Sequence, residues 1–349
     1  MDLNLIWFVL VGVLIAGYAV LDGFDLGVGA LSLLARTREE RDLHVAAIAP
    51  VWDGNEVWLL TGGGALFAAF PAVYATVFSG LYLALVLVLV ALIARAVSLE
   101  FRHQLEGSRW VRAWDVAYGV GSLLPSLLFG VAVGNVLRGL PIGPGLEWRG
   151  SFLGLLNPYA ILVGLVSLAL FVMQGALYLR LRTEGALEAR MARAALWAWG
   201  AFVALFAAAT GWSFAASPYL FARLGTPLVL ALVAVLAVAL AAVPVLTRAG
   251  KAGLAFLASS VVIVAGILTV AANLFPVIVP SSLGAAHALT AYNAASSPRT
   301  LATMLVVALT GMPLVIGYTV FAYRVFRGKA RVAASYGADD ATAATNAAA

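Results

Sequence analysis

Asp22-Gly23-Phe24-Asp25-Leu26-Gly27-Val28-Gly29 lies in the first apolar run of the chain. Trp52-Asp53-Gly54-Asn55-Glu56-Val57-Trp58 opens the second and runs on towards Gly62-Gly63-Gly64. Four carboxylates thus sit inside or beside apolar helices, where an ionised, unpaired acid is expensive. The rest of the sequence reads as a scaffold around them.

Composition sets the class. Of 349 residues, 63% are hydrophobic and 11% charged, against about 25% charged in a soluble domain. That is an all-α integral membrane protein. Nine tryptophans and 34 glycines suit interfacial belts and close helix packing. Cysteine is absent, which excludes disulfides, thiolate metal sites and iron–sulfur clusters. The net charge of +5 is assigned to loops at a membrane surface, not to a nucleic-acid face. No cleavable signal peptide is expected, because no basic region precedes a first apolar run long enough to span.

A span needs about 20 apolar residues. Nine segments qualify: 4–34, 53–70, 76–98, 114–137, 157–180, 193–215, 226–247, 254–275 and 302–324. They form one polytopic domain, residues 1–330, and residues 331–349 are expected as a disordered cytoplasmic tail. With Arg95 assigned to the third loop, seventeen Lys and Arg fall in the odd-numbered loops and the tail. Four (Arg138, Arg149, Arg223 and Arg299) fall in the even-numbered loops. The positive-inside rule then puts the N-terminus outside and the C-terminus in the cytoplasm.

Eleven residues separate Asp25 from Arg36, about 16 Å of helix, or half of a ~30 Å hydrocarbon core. Asp22 lies one turn deeper on the same face. With Arg95 in a loop, no cation is expected within another span to pair with these acids. They must be protonated, hydrated or otherwise paired. Such a group suits proton loading and release; hydrogen-bonded structural acids are the other reading. Gly23 and Gly27 make a G-x-x-x-G spacing, extended by Gly29, that lets another helix come close. Asp53 and Glu56 have capping-box spacing, so Asp53 reads equally as a helix cap and as a proton carrier. Gly62, Gly63 and Gly64 are costly in a helix and imply tight backbone contact or a bend. Asp115 reads as a first-turn acid, and Glu100 and Glu106 as solvated partners of loop arginines. His44, His103 and His287 all fall in loops or at span ends, so no mid-membrane axial haem ligand is expected from this chain, and no metal site.

These residues resemble those of a known family. The two opening motifs are similar to subunit II of cytochrome bd-type quinol oxidases. Phe129 to Asn135, Leu156-Asn157-Pro158-Tyr159, Gln174-Gly175-Ala176, and Phe275-Pro276 with Pro280-Ser281-Ser282 agree, covering nearly the whole chain. The resemblance implies nine transmembrane helices in a bacterial cytoplasmic membrane, and a heterodimer with a haem-bearing subunit I. Two b-type haems and haem d reside in that partner, and none in this chain. Quinol and dioxygen are the substrates of the complex, and protons are taken up from the cytoplasm. A small single-helix subunit is a further candidate partner, and some members hold a structural quinone in subunit II. The acids matching Asp25 and Asp53 are associated with a cytoplasmic proton path, to which Asp22 and Glu56 are added here. Trp52, Trp58 and the glycines are candidates for helix packing or the subunit interface. Two positions depart from the pattern: Tyr292-Asn293 stands where some members have Trp-Asp, and Val51 where some have His. A proton-coupled transporter and a purely structural partner are the competing readings.

Overall fold

The computed structural model describes residues 2–105 and 107–331. Glu106 and the expected tail beyond Arg331 lie outside the described residues. Eight helices are individually long and apolar enough to span: α1 (Leu3–Ser32), α5 (Tyr82–Phe101), α6 (Ser108–Arg138), α7 (Pro158–Arg182), α8 (Gly185–Ala216), α9 (Pro227–Arg248), α10 (Ala252–Leu274) and α11 (Pro298–Val325). α3 (Trp52–Ala69) and α4 (Pro71–Gly80) meet at a bend of 120° and are apolar enough together to make a ninth span if the bent pair is counted as one. The expected all-helical membrane architecture is therefore present among the described residues, with eight spanning helices, or nine when the bent pair is counted as one span. β-structure among the described residues amounts to the short hairpin β1 (Val277–Val279) and β2 (Leu289–Thr290), plus isolated bridges.

Local chemistry starts these helices. Asp2, Asn157 and Ser297 accept from backbone amides three residues on, at 3.1, 3.0 and 3.2 Å. Proline follows at the first position of α7 and α11, where its missing N–H costs nothing. The bend after α3 falls at Phe70-Pro71 and not at the glycine triplet, which stays helical. The third span accordingly begins at Tyr82, later than position 76.

The polar stretch after α1 is a helix, α2 (Arg38–Ile48), where the sequence suggested a loop. Thr37 caps it by accepting from Glu40 N at 3.2 Å. Ion pairs pin it to the bundle. Glu40 takes both Nη atoms of Arg190 from α8, at 2.8 and 2.6 Å. Asp42 accepts from Arg102 at 2.6 Å, and Arg102 also holds Asp115. Asp115 is thus a partner of arginines in the third turn of α6, not a first-turn acid. His44 is buried in α2, its Nδ1 2.6 Å from the Glu40 carbonyl. Burial pushes its imidazole pKa down.

Close backbone approaches place α1 at the centre. A Cβ at Gly27 would collide with the Phe171 carbonyl of α7, and one at Gly175 would lie 2.5 Å from the Gly27 carbonyl carbon. The Gly23 position meets the Phe171 ring, and the Gly29 position meets Ser122 of α6. Gly23, Gly27 and Gly29 therefore pack inside this chain and do not face a partner.

Two outcomes are expected. A leucine at Gly27 should separate α1 from α7 and cost at least about 1–3 kcal/mol, read as a lower thermal midpoint in detergent. The second concerns acid. Arg190 and the backbone amide of Arg36 hold Glu40 down to about 2, against an ordinary value of 4.5. A depressed carboxylate contributes fully above its unfolded value and loses that contribution as pH falls. Hydrogen exchange in α2 should therefore accelerate between about pH 4.5 and 2. Glu40→Gln should exchange faster at neutral pH and lose this part of the acid response.

Candidate functional site

Asp22 and Asp25 are both fully buried on the centre-facing side of α1. The helix ends at Ser32, so Asp25 lies about 10 Å from its end and Asp22 about 15 Å. The sequence estimate of 16 Å for Asp25 ran the helix on to Arg36 and was too long.

Asp22 has a partner that was not expected. Arg95 donates to it through both terminal nitrogens, Nη1 to Oδ2 at 3.0 Å and Nη2 to Oδ1 at 2.6 Å. Both side chains are completely buried. Arg95 is not a loop residue: α5 runs on to Phe101 and carries it about 9 Å inside the helix end. The absence of an intramembrane cation, inferred from the sequence, is thereby corrected. A guanidinium cannot shed its proton in a protein, so its burial requires an anion, and the bidentate fork is the strongest form of that pairing. Glycine on α6 makes room, because a Cβ at Gly121 would stand 2.9 Å from Arg95 N.

Asp25 is held differently. Its Oδ2 accepts from Asn55 Nδ2 of α3 at 2.7 Å. Asn55 Oδ1 in turn accepts from Tyr323 of α11 at 2.9 Å. Asp25 Oδ1 has no partner among the described residues, nor do Tyr18 Oη, Tyr118 Oη and Arg95 Nε. Two acids three residues apart therefore differ sharply. One is saturated by a cation, and the other is half-satisfied by a neutral amide.

The remaining candidates are more peripheral. The N-cap of α3 is Val51, with no side-chain cap, so Asp53 does not cap this helix and is exposed in its first turn. Glu56 is half-buried beside Asn55. Trp52 packs on the core around α1, α2 and α7. The Trp58 ring fills the space above Gly17 of α1. Gly62 faces Leu14, whose Cβ would be 3.7 Å from an added Cβ, whereas Gly63 and Gly64 meet nothing within 4 Å. Sequence reading missed Asn55, Arg95 and Tyr323. Asn55 stood within the second motif, and Arg95 stood within the 76–98 segment.

Among the described residues no three His, Cys, Asp or Glu side chains are grouped to hold a metal ion. His44 lies in α2, His103 in the turn after α5 and His287 in a short 3-10 turn, so the spanning helices offer no imidazole to a haem. An apolar cavity of about 430 Å³ lies between α5 and α6. Asn135 at its edge has already committed its amide to the Val131 and Leu155 carbonyls and its oxygen to Asn157. It offers no free donor to a quinone carbonyl.

The fold and site define a polytopic helical membrane protein with an internal acid pair, one member neutralised by arginine. Residues 3–326 match the model of the family described as cytochrome bd terminal oxidase subunit II. The chain is 40% identical to cytochrome bd-I ubiquinol oxidase subunit 2 of Escherichia coli, over 92% of this chain and 93% of that one. It is 39% identical to cytochrome bd ubiquinol oxidase subunit 2 of Bacillus subtilis, over 93% and 96%. Its fold matches the structure of bd oxidase from Geobacillus thermodenitrificans with a TM-score of 0.73, at 17% identity, covering 93% of this chain and 99% of that one. The chain belongs to the cytochrome bd terminal oxidase subunit II family.

Removing Arg95 tests the pair. Arg95→Leu leaves Asp22 buried without a counter-charge and should cost about 3–5 kcal/mol. Combining it with Asp22→Leu should recover most of that loss. Thermal unfolding of both single variants and the double variant reads the coupling; simple additivity would mean the pair is not coupled.

Proposed function

We propose that this chain is the haem-free second subunit of a cytochrome bd-type oxidase that oxidises quinol and reduces dioxygen to water. In this reading it braces a haem-bearing subunit I, which carries two haems b and haem d, and supplies part of a cytoplasmic proton-uptake path. The observation that carries the reading is Asp25: a buried carboxyl with one oxygen unpartnered, beside an acid already neutralised.

The roles divide by chemistry. The Asp22–Arg95 pair is internally compensated, so loading a proton on Asp22 would strand the guanidinium. Asp22 is therefore the fixed counter-ion and not a relay station. Asp25 faces a neutral amide and can alternate between charged and protonated forms without breaking an ion pair. Asp53 and Glu56 lie in the first turns of α3, at the arginine-rich end of the bundle. The positive-inside rule makes that end cytoplasmic. Protons from that side meet Asp53 at the surface, then Glu56, then Asp25 past Asn55. The Asn55–Tyr323 hydrogen bond leads on towards α11.

The outward sides of α3 and α11 are the proposed seat of subunit I. Val57, Leu60 and Phe67 of α3 are exposed, as are Leu309, Leu314 and Phe321 of α11. Family membership removes the support for a proton-coupled transporter. A purely structural role for the acids remains the contrary outcome of the test.

In the assembled oxidase, Asp25→Asn should lower quinol-oxidase turnover by about tenfold or more while haem b and haem d bands stay intact. Asp53→Asn, at an exposed position, should lower it less. Unchanged turnover in Asp25→Asn with full haem content would remove the path from this chain.

A further inference from the structure

The arginine-rich end of the bundle holds a polar cavity that the acid site does not use. Its volume is about 530 Å³, and its lining comprises Leu43 of α2, Thr183 and Glu184 after α7, and residues 327–331 after α11. The wall is built by hydrogen bonds, not by loosely placed side chains. Ala330 N donates to the Arg182 carbonyl at 2.7 Å, and Lys329 Nζ donates to the Thr183 carbonyl at 2.7 Å. Arg182 Nη1 donates back to the Phe326 carbonyl at 2.6 Å. Gly328 makes the reversal at φ 117°, where a side chain would strain the backbone. The segment after α11 is thereby strapped across the end of α7.

Lys329 is consumed as a strut, while Arg327 and Arg331 are exposed on the rim of the cavity. Among the described residues neither donates to a carbonyl or lies within ion-pair distance of a carboxylate. Three cations line the cavity against one carboxylate, Glu184. Opposing the helix dipoles of α7 and α11 accounts for Lys329, but not for the two arginines. The end of α11 leaves Val325 and Phe326 exposed beside the strap. Apolar helix surface and a cationic cavity thus meet at one edge.

We propose that this cavity binds the phosphate-bearing headgroup of an anionic phospholipid. Arg327 and Arg331 are the phosphate ligands, and the exposed end of α11 carries the acyl chains. Guanidinium forks match phosphate oxygens two at a time. Basic pockets at the cytoplasmic edge of helical membrane proteins take such headgroups. A dissolved phosphate would satisfy the arginines but make no use of the adjoining apolar surface.

The test uses the assembled oxidase containing the full chain, delipidated in detergent. Native mass spectrometry and thermal melting are recorded with phosphatidylglycerol, phosphatidylcholine or inorganic phosphate. Phosphatidylglycerol should be retained and raise the melting temperature, and phosphatidylcholine should do neither. The double variant R327Q/R331Q should bind phosphatidylglycerol about 25-fold more weakly at low salt. R327K/R331K should stay within a few-fold of the unaltered protein, which shows that the strap still folds. Equal phosphatidylglycerol binding by R327Q/R331Q would overturn the proposal, as would equal retention of phosphatidylcholine. Inorganic phosphate stabilising the complex as well as phosphatidylglycerol does would identify a free-anion site and overturn the lipid assignment.

Discussion

A guanidinium with zero exposure, clamped to a carboxylate with zero exposure, is the constraint around which the centre of this bundle is arranged. Neither charge survives alone at that depth. Each is costly to desolvate, and the mutual attraction repays the cost only when the geometry is good. Two terminal nitrogens facing two carboxylate oxygens meet that requirement. The geometry needs α1 and α5 at fixed separation and rotation, and α6 supplies both. Gly121 lets α6 lie against the Arg95 backbone, and Gly29 lets Ser122 of α6 lie against α1. The glycines of the first motif and the ion pair are one device. The small residues bring the helices close enough for the fork to close.

The pair also separates two acids of like chemistry. Asp22 and Asp25 share a helix face and full burial, yet their first neighbours differ in charge. Arginine binds both oxygens of Asp22 through two hydrogen bonds and leaves neither open. Asparagine gives Asp25 a single bond and leaves the second oxygen open. Two carboxylates side by side would repel each other, but once one is compensated the other can ionise, and so release a proton, at lower cost. In the proposed path, the arginine removes one acid from the proton chemistry so that its neighbour can perform it.

Much of the fold was legible because hydropathy, glycine spacing and caps act locally. Asn157-Pro158 starts its helix as its sequence suggests, and eight of the nine apolar segments correspond to spanning helices while the second falls on α3 of the bent pair. What failed was long-range. Arg95 looks like a loop cation because charge near the end of an apolar run usually means the interface. Its partner lies 73 positions earlier, and no local pattern announces it. The cap assignments failed for a related reason. Asp53 and Glu56 have capping-box spacing, but Val51 is already the N-cap, so the acid falls two residues too late. The working cap is Thr37, which accepts from Glu40 N, in a segment too polar to suggest a helix. That helix persists because Glu40 and Asp42 are anchored to arginines on α8 and after α5, contacts that only the folded bundle supplies.

An apolar outer surface does not by itself call for a partner in a membrane, since lipid covers Leu and Val equally well. Glycine is different. It offers lipid nothing and costs a helix about 1 kcal/mol relative to alanine. Gly63 and Gly64 on α3, and Gly311 and Gly317 on α11, meet nothing within 4 Å in this chain. Inside the chain, Gly27 and Gly175 show what such residues achieve, because there two helix backbones touch. In the proposed assembly, the same physics applied outward would let a helix of subunit I close on α3 and α11. Those are also the helices joined by the Asn55–Tyr323 hydrogen bond to Asp25. In the proposed assembly, the surface that binds subunit I and the route from the half-satisfied acid therefore coincide.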